Sequence, residues 1–438
     1  MCQSVDRHMS SQTAVASPPV PWFRQVGRDQ WRAFLATFLG WLLDGFDFTI
    51  LTFVLIDIQH SFTVDRALAG ALGTVTLFAR LIGGVAAGTA ADAWGRKRPL
   101  IFSILWFSIF ACLSGFSTSY AMLFALRALF GVGMGGEWAA GMPLVLEHWP
   151  PHLRGLASGL LQGGWYWGFI LSAATFQFIY PFFDGAPDLG WRVMFWVGIL
   201  PALFTLWIRA KVPESPVWIE RQRRLREMPR EKAGMGAPPG EPGMSVMRIF
   251  RSDLIGTTTQ TAILMSAFMF SYYSISYWYP TFLRESARPA FSYILALNVG
   301  AIVGMALWGQ LSETRLGRRG AVALAATLGV MAIPLYLYGE GTAGLWAGAL
   351  LMGSCGSGIW GMAPSYLSER FPTAARGVGL GFAYHAGAAI GAMTPALVGA
   401  LQDRGMRLTD AMAVCIGISG LLVASMIWMG PETRGRHL

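Results

Sequence analysis

The string Glu147-His148-Trp149-Pro150, followed by Arg154-Gly155 and Gly159, returns 222 residues later as Glu369-Arg370-Phe371-Pro372 with Arg376-Gly377 and Gly381. Two more strings repeat at nearly the same offset. Gly88, Asp92 and Gly95-Arg96-Lys97-Arg98 are matched by Gly309, Glu313 and Gly317-Arg318-Arg319, with Glu for Asp and one extra residue before the glycine. Pro213-Glu214-Ser215 is answered by Pro431-Glu432-Thr433. Three matched pairs mean two homologous halves, so the fold must contain one structural unit twice.

Each half is too apolar to be soluble. Charged residues make up 13% of the chain, against roughly a quarter in soluble proteins, and mean hydropathy is +0.47. Twelve apolar runs are each long enough to cross about 30 Å of hydrocarbon: 31 to 56, 67 to 91, 99 to 117, 119 to 146, 155 to 181, 191 to 209, 254 to 282, 290 to 312, 320 to 338, 342 to 367, 376 to 401 and 408 to 430. The expected fold is an all-α membrane protein of twelve transmembrane helices in two pseudo-symmetric six-helix bundles. The bundles occupy 31–210 and 254–430, with a tail at 1–30, a polar linker at 211–253 and a short tail at 431–438.

Arginine and lysine gather in alternate loops, at Arg96 to Arg98, Arg154, the linker, Arg315 to Arg319, and Arg370 with Arg376. By the positive-inside rule these loops and both termini are expected on the cytoplasmic side of a cell membrane. The net charge of +9 then reports contact with anionic lipid and not a nucleic-acid partner. The first thirty residues lack an apolar core ahead of a cleavage site, so the first span is expected to serve as the targeting signal. The four cysteines, at 2, 112, 355 and 415, have no metal or disulfide spacing. No nucleophile, metal or phosphate-loop motif is present, so neither an enzyme nor a cofactor is expected.

Function is concentrated in charges inside the spans. Asp44 and Asp47 share a helix face in the middle of the first run. A carboxylate at bilayer depth costs at least about 2.5 kcal/mol and therefore faces a bundle interior or a water-filled path. Counted at 1.5 Å per residue from the arginine-rich end, Asp44 is roughly 20 Å deep, Arg80 roughly 18 Å, Glu137 roughly 15 Å and His385 roughly 14 Å. Arg127 falls nearer the opposite face. Asp44, Asp47 and Glu137 are candidate proton carriers; Arg80, Arg127 and His385 are candidate anchors for an anionic substrate. Plainer roles stay open: Arg80 as the neutraliser of an aspartate, Arg127 as a packing or relay residue, His385 as a helix-to-helix hydrogen-bond donor, Glu137 as a bond to a neighbouring helix. Tyr273, Tyr277, Gln162 and Asn298 complete the candidate pocket.

Over essentially its whole length after the N-terminal tail, the chain resembles the major facilitator superfamily. Within it, Trp41 to Asp47, Arg80-Leu81-Ile82-Gly83-Gly84, Arg127 with Gly131 to Trp138, and Pro213 to Trp218 resemble the sialate/lactate:proton symporter family and its monocarboxylate branch. The resemblance implies two bundles rocking about a central site, in a functional monomer. It assigns Asp92, Arg96 and Arg98 to a cytoplasmic gate, extended by the repeats to Glu147, Arg154, Glu313, Arg318, Glu369 and Arg376. Span seven has neither His nor Asp, so a proton step through the cluster that fungal lactate carriers hold there does not transfer. Span five lacks the Gly-Pro signature of the superfamily's antiporters, which favours symport. The implied function is proton-coupled import of a small organic acid, most simply lactate or pyruvate. The alternatives are symport of sialic acid or an aromatic acid, and a non-transporting carboxylate sensor.

Overall fold

Backbone groups in a bilayer find no water, so apolar runs of this length must fold as helices, and in a computed structural model of the chain they do. The structure describes residues 21–436 except 65, 184, 200–202, 204–206, 209–210, 228–246, 280–281, 284–285, 287 and 289. The tail before residue 21, the end of the sixth span, most of the linker and the last two residues therefore lie outside the described residues. The first bundle comprises α1 (Arg28–Phe62), α2 (Arg66–Trp94), α3 (Lys97–Ser114), α4 (Tyr120–His148), α5 (Arg154–Phe178) and α6 (Pro187–Trp196). A linker helix, α7 (Pro216–Glu227), precedes α8 (Ile255–Ser276) and α9 (Ala290–Leu311). There is no strand among the described residues.

Seven described helices are long and apolar enough to cross a membrane by themselves. Several spans are interrupted, one of those seven among them. The ninth divides at Pro334 into α10 (Gly317–Met331) and α11 (Ile333–Tyr338). The tenth begins as α12 (Gly341–Leu351), passes through a π turn (Met352–Ser357) and a 3-10 turn (Gly358–Met362), and ends as α13 (Ala363–Arg370). Gly353, Gly358 and Gly361 lie there against α9, where a Cβ would strike Leu297, Trp308 and Met305. Close approach holds this segment to its neighbour while the helical repeat changes. The eleventh span divides before Pro395 into α14 (Arg376–Gly391) and α15 (Thr394–Asp403), and α16 (Leu408–Met429) is the twelfth.

The bundles meet where α2 packs on α14 and α5 on α9. Glycines set both contacts. A Cβ on Gly88 would lie 2.5 Å from the Gly377 carbonyl oxygen, and one on Gly381 would lie 2.5 Å from that of Gly84. Gly155 and Gly159 lie in the same way against Gly309 and Met305. Small residues at spacings of four let backbones touch, the usual basis of helix association in lipid. All of these contacts fall in the arginine-rich half. In the other half of α2, a Cβ on Gly73 would meet nothing within 4 Å.

That end is closed by carboxylates at helix N-termini. α14 has no side-chain cap of its own, and Asp92 of the opposite bundle accepts from the backbone N–H groups of Gly377 (2.9 Å) and Val378 (3.0 Å). α5 is likewise uncapped, and Glu313 accepts from Gly155 N–H across the interface. Unpaired N–H groups and the helix dipole both favour a negative charge at these positions. Within each bundle, Glu214 caps α3 through Arg96 N–H at 2.7 Å, and Glu432 caps α10 through Arg318 N–H at 2.9 Å. Burial raises the Glu432 carboxyl, but the N–H groups of Arg434, Arg318, Arg319 and Thr433 outweigh it and hold it below its ordinary range. Gly95 and Gly317 have positive φ, 96° and 70°, and a side chain at either would occupy the capping carboxylate.

Arginines complete this charge cluster. Arg96 pairs with Asp92 and, at 3.1 Å, with Glu147; Arg318 pairs with Glu369 at 2.9 Å and Glu313 at 2.8 Å. Burial lowers the affinity of Arg96 for its proton, but Glu147 and Asp92 more than restore it. Arg376 crosses to Glu147, whereas Arg154 donates to the carbonyls of Leu146 and Arg436. Arg98 does not join them: it is exposed and makes no ion pair among the described residues. The turn at Gly95 directs Arg96 inward and leaves Arg98, two residues on, facing outward. Replacing Asp92 with Asn should loosen this closure by about 1 kcal/mol, the scale of a lost cap. In a background without native cysteines, maleimide labelling of Ser365→Cys, buried between the bundles, should rise severalfold in that variant; unchanged labelling would contradict the capping role.

Candidate functional site

Arg80 sits where the two bundles face each other. Its guanidinium is 3.4 Å from an Asp44 carboxylate oxygen, and both side chains are buried. Three rings surround it, Trp41 of α1 at 5.3 Å, Trp165 of α5 at 5.7 Å and Tyr384 of α14 at 5.3 Å. Tyr384 stacks on Trp138 at 4.1 Å and lies 5.9 Å from Trp360. Trp165 donates to the Tyr272 hydroxyl at 3.3 Å. The cage therefore takes walls from both bundles. Cation–π attraction, strengthened by burial, adds to the ion pair. Arg80 Nε and Asp44 Oδ1 have no hydrogen-bond partner among the described residues, so the pair leaves donor and acceptor capacity unused there.

Around this pair the first bundle buries further charge. Both oxygens of Glu137 are unpartnered, and the side chain is held where Gly40 and Gly141 bring α1 and α4 together. Asp47 points away from the cage, toward Gly198 and Ala111, with Oδ2 unpartnered. Arg127 is fully buried, lies 4.0 Å over Phe130 and 5.5 Å from Phe195, and none of its guanidinium nitrogens has a partner. It makes no ion pair with Asp44 or Asp47 among the described residues.

The sequence candidates thus separate. Asp44, Arg80 and Glu137 converge as their depths predict. Gln162 reaches the rim by accepting from Trp138 Nε1 at 3.4 Å, and Tyr273 lies 5.2 Å from Tyr272. Three substrate candidates take other places. Arg127 is walled into the first bundle by two phenylalanines. Tyr277 is 56% exposed, one turn beyond Tyr273, with its ring against Trp278. His385 enters the first bundle beside Gly84 and binds the Gly135 carbonyl oxygen at 3.0 Å. Asn298 is buried on α9 and makes no hydrogen bond to a cage residue among those described. Trp360 and Tyr384 are cage members that periodicity misses: Trp360 lies in the 3-10 turn, where the 3.6 repeat is lost, and Tyr384 adjoins a histidine that draws attention first. No cluster of His, Cys, Asp and Glu suited to a metal occurs among the described residues.

A sequence profile of the Major Facilitator Superfamily matches residues 37–395. The chain belongs to that superfamily. It is 32% identical over 94% of its length to a probable 4-methylmuconolactone transporter of Cupriavidus pinatubonensis, of which 93% is covered. It is 28% identical over 92% of its length to the sialic acid transporter NanX of Escherichia coli, of which 95% is covered. Its fold matches the proton:xylose symporter XylE bound to 6-bromo-6-deoxy-D-glucose with a TM-score of 0.74 and 21% identity, covering 94% of this chain and 98% of that one. A major facilitator protein is a multi-pass membrane transporter of small molecules, and the inter-bundle cage lies where such a fold places its central site.

The Arg80–Asp44 pair makes a stability prediction. Removing one partner leaves a buried charge uncompensated, whereas removing both does not. Asp44→Ala should lower stability by about 3 kcal/mol, and Asp44→Ala/Arg80→Leu should recover much of that loss. Thermal unfolding in one detergent compares them; a double variant no more stable than Asp44→Ala would show that the pair is not coupled.

Proposed function

We propose that this transporter imports a small organic acid, a monocarboxylate, together with a proton, by alternating access between the two bundles. The observation that carries the reading is Arg80, the single guanidinium of an aromatic cage built from both bundles, held by one 3.4 Å contact to Asp44 and with Nε unpartnered. A planar fork of this kind matches a carboxylate through two parallel bonds. One guanidinium cannot neutralise two buried carboxylates. When the substrate takes Arg80, Asp44 must accept a proton, so one acid and one proton enter the cage together and leave together. Glu137, unpartnered and also within the first bundle, is the next station for that proton, and Asp47 with Arg127 lies on its path from the far side.

The arginine-rich end is cytoplasmic in this reading, as the positive-inside rule requires. Its closed gate then makes this the arrangement that receives substrate from outside. The cage supports a second reading of the substrate: flat ring faces around one guanidinium suit a planar unsaturated or aromatic acid better than lactate, whose three carbons would leave most of those faces uncovered. A sensor on the same fold would bind the acid without moving it.

Proteoliposomes separate these readings. Labelled lactate, pyruvate and benzoate should be tested for uptake against an imposed pH gradient, one of them accumulating uphill. Asp44→Asn should abolish that accumulation and keep counterflow exchange. Undiminished proton-driven accumulation in Asp44→Asn and Glu137→Gln alike would overturn the coupling. Arg80→Lys keeps the charge but loses the fork, and should weaken acid binding by about 2 kcal/mol in calorimetry at fixed pH. Equal binding would remove Arg80 from the substrate, and binding without uptake would favour a sensor.

A further inference from the structure

His385 is mounted on one bundle and inserted into the other. It continues a face of α14 on which Gly377 and Gly381 touch Gly88 and Gly84 of α2. One turn further along, the small residues give way to an imidazole, and the N-terminal bundle has a slot that fits it. Gly84 forms the floor: a Cβ there would fall within the ring, against Cδ2 and 2.7 Å from Nε2. Gly135 of α4, whose own Cβ would lie 2.4 Å from Gly84 N, forms the wall, and its carbonyl oxygen is 3.0 Å from Nε2. A carbonyl only accepts, so Nε2 carries the hydrogen and donates. The side chain is fully buried, and Nδ1 has no partner.

The residue before it is Tyr384, whose ring lies 5.3 Å over the Arg80 guanidinium and 4.1 Å from Trp138. We propose that His385 is a positioning residue: by docking in the Gly84–Gly135 slot it carries Tyr384 across the interface and completes the cage around Arg80 when the arginine-rich end is closed. The bond joins two bodies that must separate when that end opens. Opening therefore withdraws the imidazole from its slot and the tyrosine from the cage in one movement. The role needs a donor of this reach on α14 and the absence of a side chain at position 84, and it does not depend on which substrate the cage holds.

The test uses the full-length protein in proteoliposomes, without native cysteines and with Ser365→Cys as the reporter of closure. His385→Leu, which fills the slot but cannot donate, should raise maleimide labelling on the order of fivefold, the shift expected from one hydrogen bond. His385→Gln, which offers an N–H at similar reach, should return labelling close to the parent level. Gly84→Ala should raise labelling by steric exclusion, and adding His385→Ala should lower it again, because the smaller side chain removes the collision. Parent-level labelling in His385→Leu would overturn the proposal. So would equal labelling in the Leu and Gln variants, or a Gly84→Ala effect that His385→Ala does not relieve, since either would reduce His385 to packing.

Discussion

A helix that starts at the membrane edge without a capping side chain has free N–H groups and a positive dipole end, and needs an anion. Here α5 and α14 start that way, and each obtains its carboxylate from the other bundle: Glu313 for α5, Asp92 for α14. Each bundle is thus electrostatically incomplete at this end until it meets its partner. Closure follows from satisfying a helix terminus, and the surrounding Arg–Glu pairs hold the two acids at the required height. Among the described residues no such cap ties the opposite half, where α2 presents Gly73 to open space.

The cage depends on that closure. Trp41, Trp138 and Trp165 come from one bundle and Tyr272, Trp360 and Tyr384 from the other, so its walls are all present only while the bundles touch. Arg80 belongs to the same helix as Gly84, Gly88 and Asp92. One rigid element therefore carries the cation, the close-approach surface and the capping acid, spaced by whole turns. The cage and the closed end are therefore joined by a single helix.

Much of this was legible in the sequence for a physical reason: charge in an apolar run has few permissible partners. Asp44 and Arg80 had to meet something, and equal depth made each the other's candidate. The charge cluster at the arginine-rich end was legible because it is written twice, and a pattern such as Glu147/Glu369 or Glu214/Glu432 cannot arise from hydropathy alone. Features that depend on a neighbouring helix were not legible. His385 stayed open between an anchor and a helix-to-helix donor, because the glycine slot that takes it belongs to α2 and α4. Trp360 could not be assigned a face, since a π turn and a 3-10 turn remove the phase that assigns faces. Arg98 resembled Arg96 because the positive φ of Gly95, which separates their directions, does not appear in a charge pattern.

The reciprocal caps give the interface the logic of an isologous contact, in which the same patch appears on both sides and each meets its counterpart's partner. Two copies of a single six-helix unit related by a twofold axis would make this contact unaided. The twofold is broken at one insertion: Asp92 is three residues from Gly95 whereas Glu313 is four from Gly317, and Asp92 takes two N–H groups where Glu313 takes one. A dimer with identical seams would have no preferred side on which to part. Unequal seams set the two edges of the joined chain apart.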